Sequence, residues 1–365
     1  MIKSLATTLD GKLKVTYPNG ESKDVPFLND FKIGINELSE NIINNVISRP
    51  RKNDKDCSYF INFSGGLGDC LMLLEVLFAF REYLEKGRSN YEFIILISED
   101  RSLFFKPLFQ LIDFPFQFIV SENAFLEEIE PLAKYEMCYL PSSGSDARVE
   151  HLSIGNYRDY TWAIWGIPGT YSDYRNELLP VQIFNRLQSI DSTEPQITNK
   201  THILIYPRGF GKANEWKTWP NPNWVAFFKM ILSNFHEDII IFDADQDLIQ
   251  AIQSQVDIAN RITFYKHQKD DDVTKMTSFF QNAKFIVSID TGPAHFAGFF
   301  KVPCVVLWGP TNPVFYQHPN NINVRLSSCP PCFYSQRTEL CNDNICMKVI
   351  SPTILNNLIK SIIKR

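Results

Sequence analysis

The chain has 365 residues, of which 44% are apolar and 21% are charged, and its formal net charge is −5. This composition excludes a mainly disordered, fibrous or disulfide-dense chain, and the length is enough for two or three domains. The acidic balance offers no broad footprint for nucleic acid. No apolar run is long enough for a transmembrane segment and no apolar signal region opens the chain, so we expect a cytoplasmic protein with reduced cysteines.

The first 55 residues are predicted to form an N-terminal extension. Residues 11–28 alternate apolar and polar side chains around Pro18, Asn19 and Gly20, which is typical of a hairpin. A helix is expected over 35–47. The charged stretch 49–56 contains Pro50 and is interpreted as a linker.

Strands and helices alternate from residue 56 onward, a pattern that predicts a parallel α/β sheet. The region 140–200 shows no clear periodicity and ends in a polar stretch, so we place a domain boundary near residue 190 and assign 56–190 to the first domain. The expected strands are 59–63, 93–98 and 116–120, and the expected helices are 69–86 and 103–112.

The alternation restarts after the boundary and predicts a second α/β domain over 191–350, followed by a C-terminal helix over 351–365. Asn221 and Pro222 are expected to open a helix, with Asn221 as the N-cap. The expected strands are 203–206, 239–242, 285–289 and 302–308, and the helices are 221–235, 246–256 and 273–283.

A glycine-rich loop between the first expected strand and helix carries the first candidate site. Gly65, Gly66 and Gly68 let a ligand approach the backbone, and Asp69 follows them at the start of the helix. The helix dipole keeps such a carboxylate ionised, ready to accept a proton. The alternative is that Asp69 only caps its helix.

A second loop, residues 288–295, also follows a strand and opens a helix. Its hydroxyl, its glycine and the free N–H groups of the helix start suit a diphosphate. The candidate residues are Asp290, Thr291, Gly292 and His295.

Basic residues follow the first strand of the second half. Arg208, Lys212 and Lys217 could neutralise phosphates, or they could lie in a solvated basic loop. Residues 308–313 form a turn rich in proline and glycine after the last predicted core strand.

Taken together, these segments resemble the family 9 glycosyltransferases, the ADP-heptose heptosyltransferases. The resemblance covers about residues 58–365 and is carried by four motifs, in the order expected for that family. The motifs are Gly65-Gly66-Leu67-Gly68-Asp69, Lys217-Thr218-Trp219-Pro220, Asp290-Thr291-Gly292-Pro293-Ala294-His295 and Gly309-Pro310-Thr311-Asn312-Pro313.

The resemblance implies a GT-B fold, with two Rossmann-like doubly wound domains facing across a cleft. It implies an inverting transfer from a nucleotide sugar, most simply ADP-heptose, with no catalytic cofactor or metal. Asp69 would match the catalytic base. Lys217, Asp290, Thr291, Gly292 and His295 would match donor-binding positions, and Arg208 is a further donor-site candidate without a clear counterpart.

The acceptor is left open by the sequence. The family's usual acceptor is the anionic inner core of lipopolysaccharide, which would bring the enzyme to the membrane periphery. Residues 56–180, however, carry 9 basic and 19 acidic residues. A neutral glycan or a protein hydroxyl therefore remains open as the acceptor.

Asp243 and Asp245 have two interpretations. By position, either one could be the acidic contact to the donor's sugar or ribose. As an Asp-x-Asp pair they could instead chelate Mn²⁺ or Mg²⁺, as in a GT-A glycosyltransferase. We favour the metal-free interpretation because the anion-binding loop and the basic residues already serve a diphosphate.

Two rival functions share the expected fold. A nucleotide-sugar epimerase would need no acceptor. A non-catalytic sugar-nucleotide-binding scaffold would bind the donor without turnover and would use its cysteine-rich segment for assembly. The presence of Asp69 argues against the scaffold.

Four cysteines near the C-terminus have the spacing of a metal site. Cys329 and Cys332 form a Cys-x₂-Cys pair, and Cys341 and Cys346 follow within the segment 329–346. Four thiolates suit tetrahedral Zn²⁺ or iron. Some heptosyltransferases that modify autotransporter proteins are similar in carrying a cysteine-bound iron finger. The role would be structural, including a contact between subunits of a homo-oligomer; the alternatives are four reduced thiols or a disulfide.

Overall fold

The computed structural model describes residues 4–7, 13–16, 22–25, 56–63, 66–87, 90–112, 116–120, 135–140, 156–165, 167–190, 200–209, 212–256, 261–268, 271–333, 341 and 343–363. The predicted helix over 35–47, Ser64 and Gly65 lie outside these residues. Everything below refers to the described part of the chain.

The N-terminal extension contains a small antiparallel sheet of the strands β1 (Ser4–Thr7), β2 (Leu13–Thr16) and β3 (Ser22–Val25), in that order. The pairing of β2 with β3 confirms the predicted hairpin. The strand β1 was not predicted, and it pairs with β2 from Ser4 opposite Thr16.

The first α/β half is built on a parallel sheet with the strand order β6-β5-β4-β7. The helices that lie between the strands along the chain are longer than the helices that follow residue 150. The strands are β4 (Cys57–Phe63), β5 (Tyr91–Ile97), β6 (Phe116–Val120) and β7 (Glu136–Leu140), and the helices are α1 (Leu67–Gly87), α2 (Glu99–Leu111), α3 (Tyr157–Ile164), α4 (Tyr171–Tyr174) and α5 (Leu179–Ser189).

Within the described residues, the region 140–200, whose sequence shows no clear periodicity, contains the helices α3, α4 and α5. In α3 and α4 most apolar side chains are large aromatics among polar residues, a pattern that hides the helical period. Tyr157, Trp162 and Trp165 are fully buried and show where this region packs.

The second half is a six-stranded parallel sheet with the order β10-β9-β8-β11-β12-β13. The strands β10 and β13 were not predicted, since each is only three or four residues long at an edge of the sheet. The strands are β8 (His202–Tyr206), β9 (Asp238–Phe242), β10 (Ile262–Tyr265), β11 (Ala283–Ile289), β12 (Cys304–Leu307) and β13 (Ile322–Val324). The helices are α6 (Asn221–Asn234), α7 (Gln246–Gln255), α8 (Val273–Gln281), α9 (Gly292–Phe299), α10 (Pro313–Tyr316), α11 (Ile345–Lys348) and α12 (Pro352–Ile363).

Two apolar cores cover the two faces of this second sheet. Along β8, Leu204 faces one core while Ile203 and Ile205 face the other, as the alternation of side chains along a strand requires. The first core is continuous with the core of the N-terminal half and contains residues of both α1 and α9. The shared core therefore places the N-termini of α1 and α9 against one another.

The predicted N-cap at Asn221 needs correction. Pro220 occupies the N-cap of α6, and Asn221 is the first helical residue. The Asn221 amide oxygen accepts a hydrogen bond from Arg208 instead of from the helix. None of the helices in the described residues is both long and apolar enough to cross a bilayer.

Candidate active site

Asp69 lies in the first turn of α1, two residues after the helix begins. Its Oδ2 accepts a hydrogen bond of 2.8 Å from the Gly66 backbone N–H. Asp69 thus does cap its own helix start, as one of the two interpretations held. Burial raises the pKa of the Asp69 carboxyl above its usual value, although the Gly66 N–H and the nearby His295 and Lys217 act in the opposite direction. A raised pKa makes this carboxylate a stronger base.

The glycine loop meets the second anion-binding loop with almost no space between them. A Cβ at Gly68 would lie 2.5 Å from Cδ2 of His295, and one at Gly292 would lie 2.8 Å from Cβ of Leu67. Such distances are too short for a real Cβ, so both positions require glycine because of close packing. The two helix starts, which come from different halves, therefore share one site.

Lys217, Asp290 and His295 form a charged cluster beside Asp69. The Nζ atom of Lys217 lies 2.8 Å from Asp290 Oδ2, and Nε2 of His295 lies 3.5 Å from Asp290 Oδ1. Asp290 is 3% exposed. Burial opposes its ionisation, but Lys217 and His295 outweigh burial and hold the pKa of Asp290 well below its usual range. The Nδ1 atom of His295 is buried, and no described group bonds to it.

The side chain of the N-cap residue accepts no hydrogen bond from the N–H groups at the start of α9. Thr291 is the N-cap residue, yet its hydroxyl donates to the Ile289 carbonyl at 3.3 Å and lies 3.1 Å from Ser288 Oγ. Gly292 and Pro293 follow, and Pro293 has no N–H group. The helix start therefore keeps its positive end available to an anion.

Arg208 with Asp245, and Asp243 with His267, form two further hydrogen-bonded pairs. Arg208 pairs with Asp245, whose other oxygen caps α7 by accepting from the Leu248 N–H at 2.8 Å. Asp243 has a φ of 50° and accepts from both the backbone N–H and the Nδ1 of His267. The two carboxylates are thus engaged by protein groups.

His267 is a further polar residue at this edge of the sheet, and it was not among the candidates predicted from the sequence. Its ring lies 5.1 Å from that of Phe242, at the carboxyl ends of the paired strands β9 and β10. The signal was a histidine directly after a strand, but that strand, β10, had not been predicted.

The cysteine-rich segment borders the charged cluster. The backbone N–H groups of Cys332 and Phe333 donate to the Pro310 carbonyl at 2.8 and 3.1 Å. This contact brings the Phe333 ring centre to 4.2 Å from Nζ of Lys217. The turn over 309–313 thus holds this segment, and Phe333 is a site neighbour that sequence patterns did not reveal.

The four cysteines do not form a complete ligand set. Within the described residues, no three His, Cys, Asp or Glu side chains lie close enough together to hold a metal ion. Among the residues that the structure describes, none of the four thiols forms a disulfide, and Cys332 and Cys341 lie near enough to Cys346 to affect its pKa. Burial first, and then these two neighbours, raise the pKa of the Cys346 thiol to about 11. In the described part of the chain these thiols do not form a metal-ligand set, so the four-cysteine site stays a prediction.

Sequence comparisons match part of the chain to the model of a known family. Residues 172–342 match the sequence model of glycosyltransferase family 9 (heptosyltransferase). Lipooligosaccharide heptosyltransferase 2 of Campylobacter jejuni subsp. jejuni serotype O:2 is 26% identical over 172 residues, which is 42% of this chain and 48% of that protein. The chain therefore spans about half the length of this curated relative.

Solved structures resemble the whole fold at low sequence identity. A family 9 glycosyltransferase of Veillonella parvula has a TM-score of 0.58 at 14% identity, with 85% of this chain and 97% of that chain covered. E. coli heptosyltransferase WaaC with ADP has 0.54 at 11%, covering 83% and 99%. The dodecameric iron-containing heptosyltransferase TibC, solved with ADP-D-β-D-heptose, has 0.52 at 12%, covering 96% and 81%. These likenesses confirm the GT-B fold with its two Rossmann-like halves.

Proposed function

We propose that this chain is a family 9 glycosyltransferase and that it transfers a heptose from ADP-heptose to an acceptor hydroxyl; the match of residues 172–342 to that family's sequence model supports the proposal. The observation that carries the proposal is the position of Asp69 beside Lys217, Asp290 and His295. Transfer from a sugar diphosphate requires a base and a positively charged site that binds the phosphate groups. In this chain, opposite halves of the fold supply the two.

The proposed reaction is a single displacement. Asp69 accepts the proton of the acceptor hydroxyl while the acceptor oxygen bonds to the anomeric carbon from the face opposite the diphosphate. The bond between that carbon and the diphosphate oxygen breaks, so the configuration inverts and ADP leaves. Burial favours this role, because it raises the pKa of Asp69 and so makes the carboxylate a better proton acceptor.

The leaving diphosphate would gain charge, which Lys217 and the N-terminus of α9 are placed to stabilise. Asp290 holds the Lys217 ammonium by a contact of 2.8 Å. His295 offers a buried Nδ1 with no described partner, which suits a polar contact to the donor. Thr291 and Gly292 shape the same loop. In this proposal protein cations hold the diphosphate without a catalytic metal.

Arg208, Asp243 and Asp245 have a supporting role in the proposal. They line the carboxyl ends of β8 and β9, where doubly wound sheets bind nucleotides. Because the oxygens of Asp243 and Asp245 accept hydrogen bonds from His267, Leu248 and Arg208, the metal-chelating interpretation is not favoured. We propose that these residues shape the nucleoside end of the donor site.

The test is transfer measured by mass spectrometry with ADP-heptose and two acceptor classes, a lipopolysaccharide inner-core glycan and an unmodified protein with exposed hydroxyls. A heptose-sized mass increase on one acceptor, lost in Asp69→Asn and kept in EDTA, supports the proposal and names the acceptor class. Release of ADP without an acceptor, or isomerised sugar, would point to an epimerase. Donor binding without turnover on either acceptor would favour a scaffold.

A further inference from the structure

The ammonium group of Lys217 lies between a carboxylate and an aromatic ring. Its Nζ is 2.8 Å from Asp290 Oδ2 and 4.2 Å from the centre of the Phe333 ring. The Lys217 side chain is only 12% exposed. Phe333 comes from the cysteine-rich segment, more than a hundred residues along the chain from Lys217.

The backbone at Phe333 is held by contacts that do not involve Lys217. The ring is 2% exposed, and the backbone N–H groups of Phe333 and Cys332 both donate to the Pro310 carbonyl. Arg325 donates to the Cys329 carbonyl and holds the start of the same segment. The Phe333 backbone is therefore anchored through Pro310, and the buried ring lies against the Lys217 ammonium group.

The backbone next to Lys217 is held by residues within and just after the cysteine-rich segment. Asn344 Nδ2 donates to the Thr218 carbonyl at 3.1 Å, and the Trp219 indole N–H donates to the Ile350 carbonyl at 2.9 Å. Asn344, inside the cysteine-rich segment, and Ile350, just after it, thus hold the backbone next to Lys217, while Phe333 contacts the ammonium group.

A cation over an aromatic face is attracted to the ring's electron density, and more strongly when water is excluded. A lysine held in one rotamer also loses less conformational freedom when an anion binds to it. Phe333 supplies both effects and leaves the remaining N–H bonds of Lys217 for Asp290 and an incoming oxyanion.

We propose that Phe333 is a positioning residue for the diphosphate of a nucleoside diphosphate sugar, and that it acts by holding Lys217 through this cation–π contact. The inference rests on the proposed function, because it takes Lys217 as the donor's phosphate contact. It adds a role for the cysteine-rich segment as a wall of the donor site.

The first experiment is calorimetric titration with ADP of the full chain and its variants. Phe333→Leu should weaken ADP binding about 3- to 30-fold, while Phe333→Tyr, which keeps the aromatic face, should stay within about twofold of wild type. The matched control is Phe235→Leu, since Phe235 lies under Lys284 at 5.6 Å, at the opposite end of β11. That variant should bind ADP as the wild type does.

The second experiment places Phe333→Leu in the Lys217→Ala background. The double variant should bind ADP no more weakly than Lys217→Ala alone, since the ring acts through the lysine. An equal loss in both backgrounds would overturn the inference and leave Phe333 with a merely structural effect. If Lys217→Ala itself binds ADP normally, the proposed diphosphate site fails and the inference fails with it.

Fluorinated phenylalanines at residue 333 separate the ring's electronic role from its volume. One, two and three fluorine atoms should weaken ADP binding stepwise, because each atom withdraws electron density from the face under the ammonium. The melting temperature should stay constant across the series. Constant ADP affinity across a series that folds normally would overturn the cation–π assignment even if Phe333→Leu fails to fold.

Discussion

The Nε2 atom of His318 lies 2.6 Å from Oε1 of Glu75, which joins two residues 243 positions apart in the chain and on opposite halves of the fold. The other carboxylate oxygen of Glu75 pairs with Arg158, which also donates to the Gln317 carbonyl at 3.3 Å. Burial opposes ionisation of Glu75, but Arg158 and His318 outweigh it and lower the pKa of Glu75 to about 2. This buried pairing fixes the two halves relative to each other behind the candidate active site.

We expect Glu75→Gln to destabilise the protein by about 3–5 kcal/mol, because it leaves Arg158 buried without its counter-charge. The matched control is Glu85→Gln on the same helix, whose partner Arg81 forms an exposed pair. That change should cost less than about 1 kcal/mol. Urea denaturation followed by intrinsic fluorescence measures both, and equal midpoints for the two variants would contradict the prediction.

The same carboxylate predicts an acid sensitivity of stability. A lowered pKa means that the native state resists protonation of Glu75, so its contribution is fully present above 4.5 and is lost as the pH falls from 4.5 towards about 2. The melting temperature of the wild type should therefore fall faster over this interval than that of Glu75→Gln. Parallel melting curves would assign the acid sensitivity to other groups.

Asp69→Asn should preserve the fold and ADP binding while lowering kcat by about 10²–10⁴, the usual contribution of a general base. Because the pKa of Asp69 is raised above 3.8, the acid limb of the wild-type rate profile should lie above the range of an ordinary aspartate. As the pH falls through that pKa, the carboxylate is protonated and the rate is lost. An unchanged kcat at saturating acceptor would remove Asp69 from the mechanism.

Lys217→Ala should weaken ADP binding by about 1.5–3 kcal/mol, the range for a hydrogen bond to a charged group. Lys284→Ala is the control, since Lys284 pairs with Glu237 at the far end of β11 and should leave ADP binding unchanged. His295→Ala should weaken binding in the same direction. Calorimetric titration with ADP measures these affinities. Wild-type affinity in both Lys217→Ala and His295→Ala would exclude this cluster from donor binding.

Gly68→Ala should lower both donor affinity and kcat, because its Cβ would lie 2.5 Å from the His295 ring and would push the two helix starts apart. Gly87→Ala, at the other end of the same helix, places its Cβ where nothing lies within 4 Å. That control should keep wild-type activity. Steady-state kinetics with both substrates varied tests the pair, and full activity in Gly68→Ala would mean that the loops tolerate separation.

The four-cysteine metal site stays a prediction. If Cys329, Cys332, Cys341 and Cys346 close around Zn²⁺ or iron, protein purified under reducing conditions should carry close to one equivalent of metal. Cys329→Ser should then lower both the metal content and the melting temperature. Cys304→Ser is a control for losing a buried thiol outside the cluster, and it should leave the metal content unchanged. Less than about 0.1 equivalent in the wild type, with all thiols titratable, would end the hypothesis.

Local patterns in the sequence determined most of the architecture. The alternation of apolar runs with helical periods correctly predicted β4 and α1, and also β8, β11 and α12, because each segment buries a face that its own residues define. The glycine loop and the loop at Asp290 could be found because anion binding at a helix start depends on a few adjacent residues. The short strands β10 and β13 and the aromatic-rich helices α3 and α4 could not be predicted, since their pattern depends on what packs against them.

Contacts between distant parts of the chain were decided only by the tertiary structure. The packing of Gly68 against His295, the pairing of Glu75 with His318 and the placement of Phe333 over Lys217 each join segments that no local pattern relates. The sequence supplied Asp69 and Lys217 as candidates, because charged residues next to glycine or proline turns are visible one segment at a time. Their meeting in one site depends on how the shared apolar core brings α1 against α9, and that is a property of the folded chain alone.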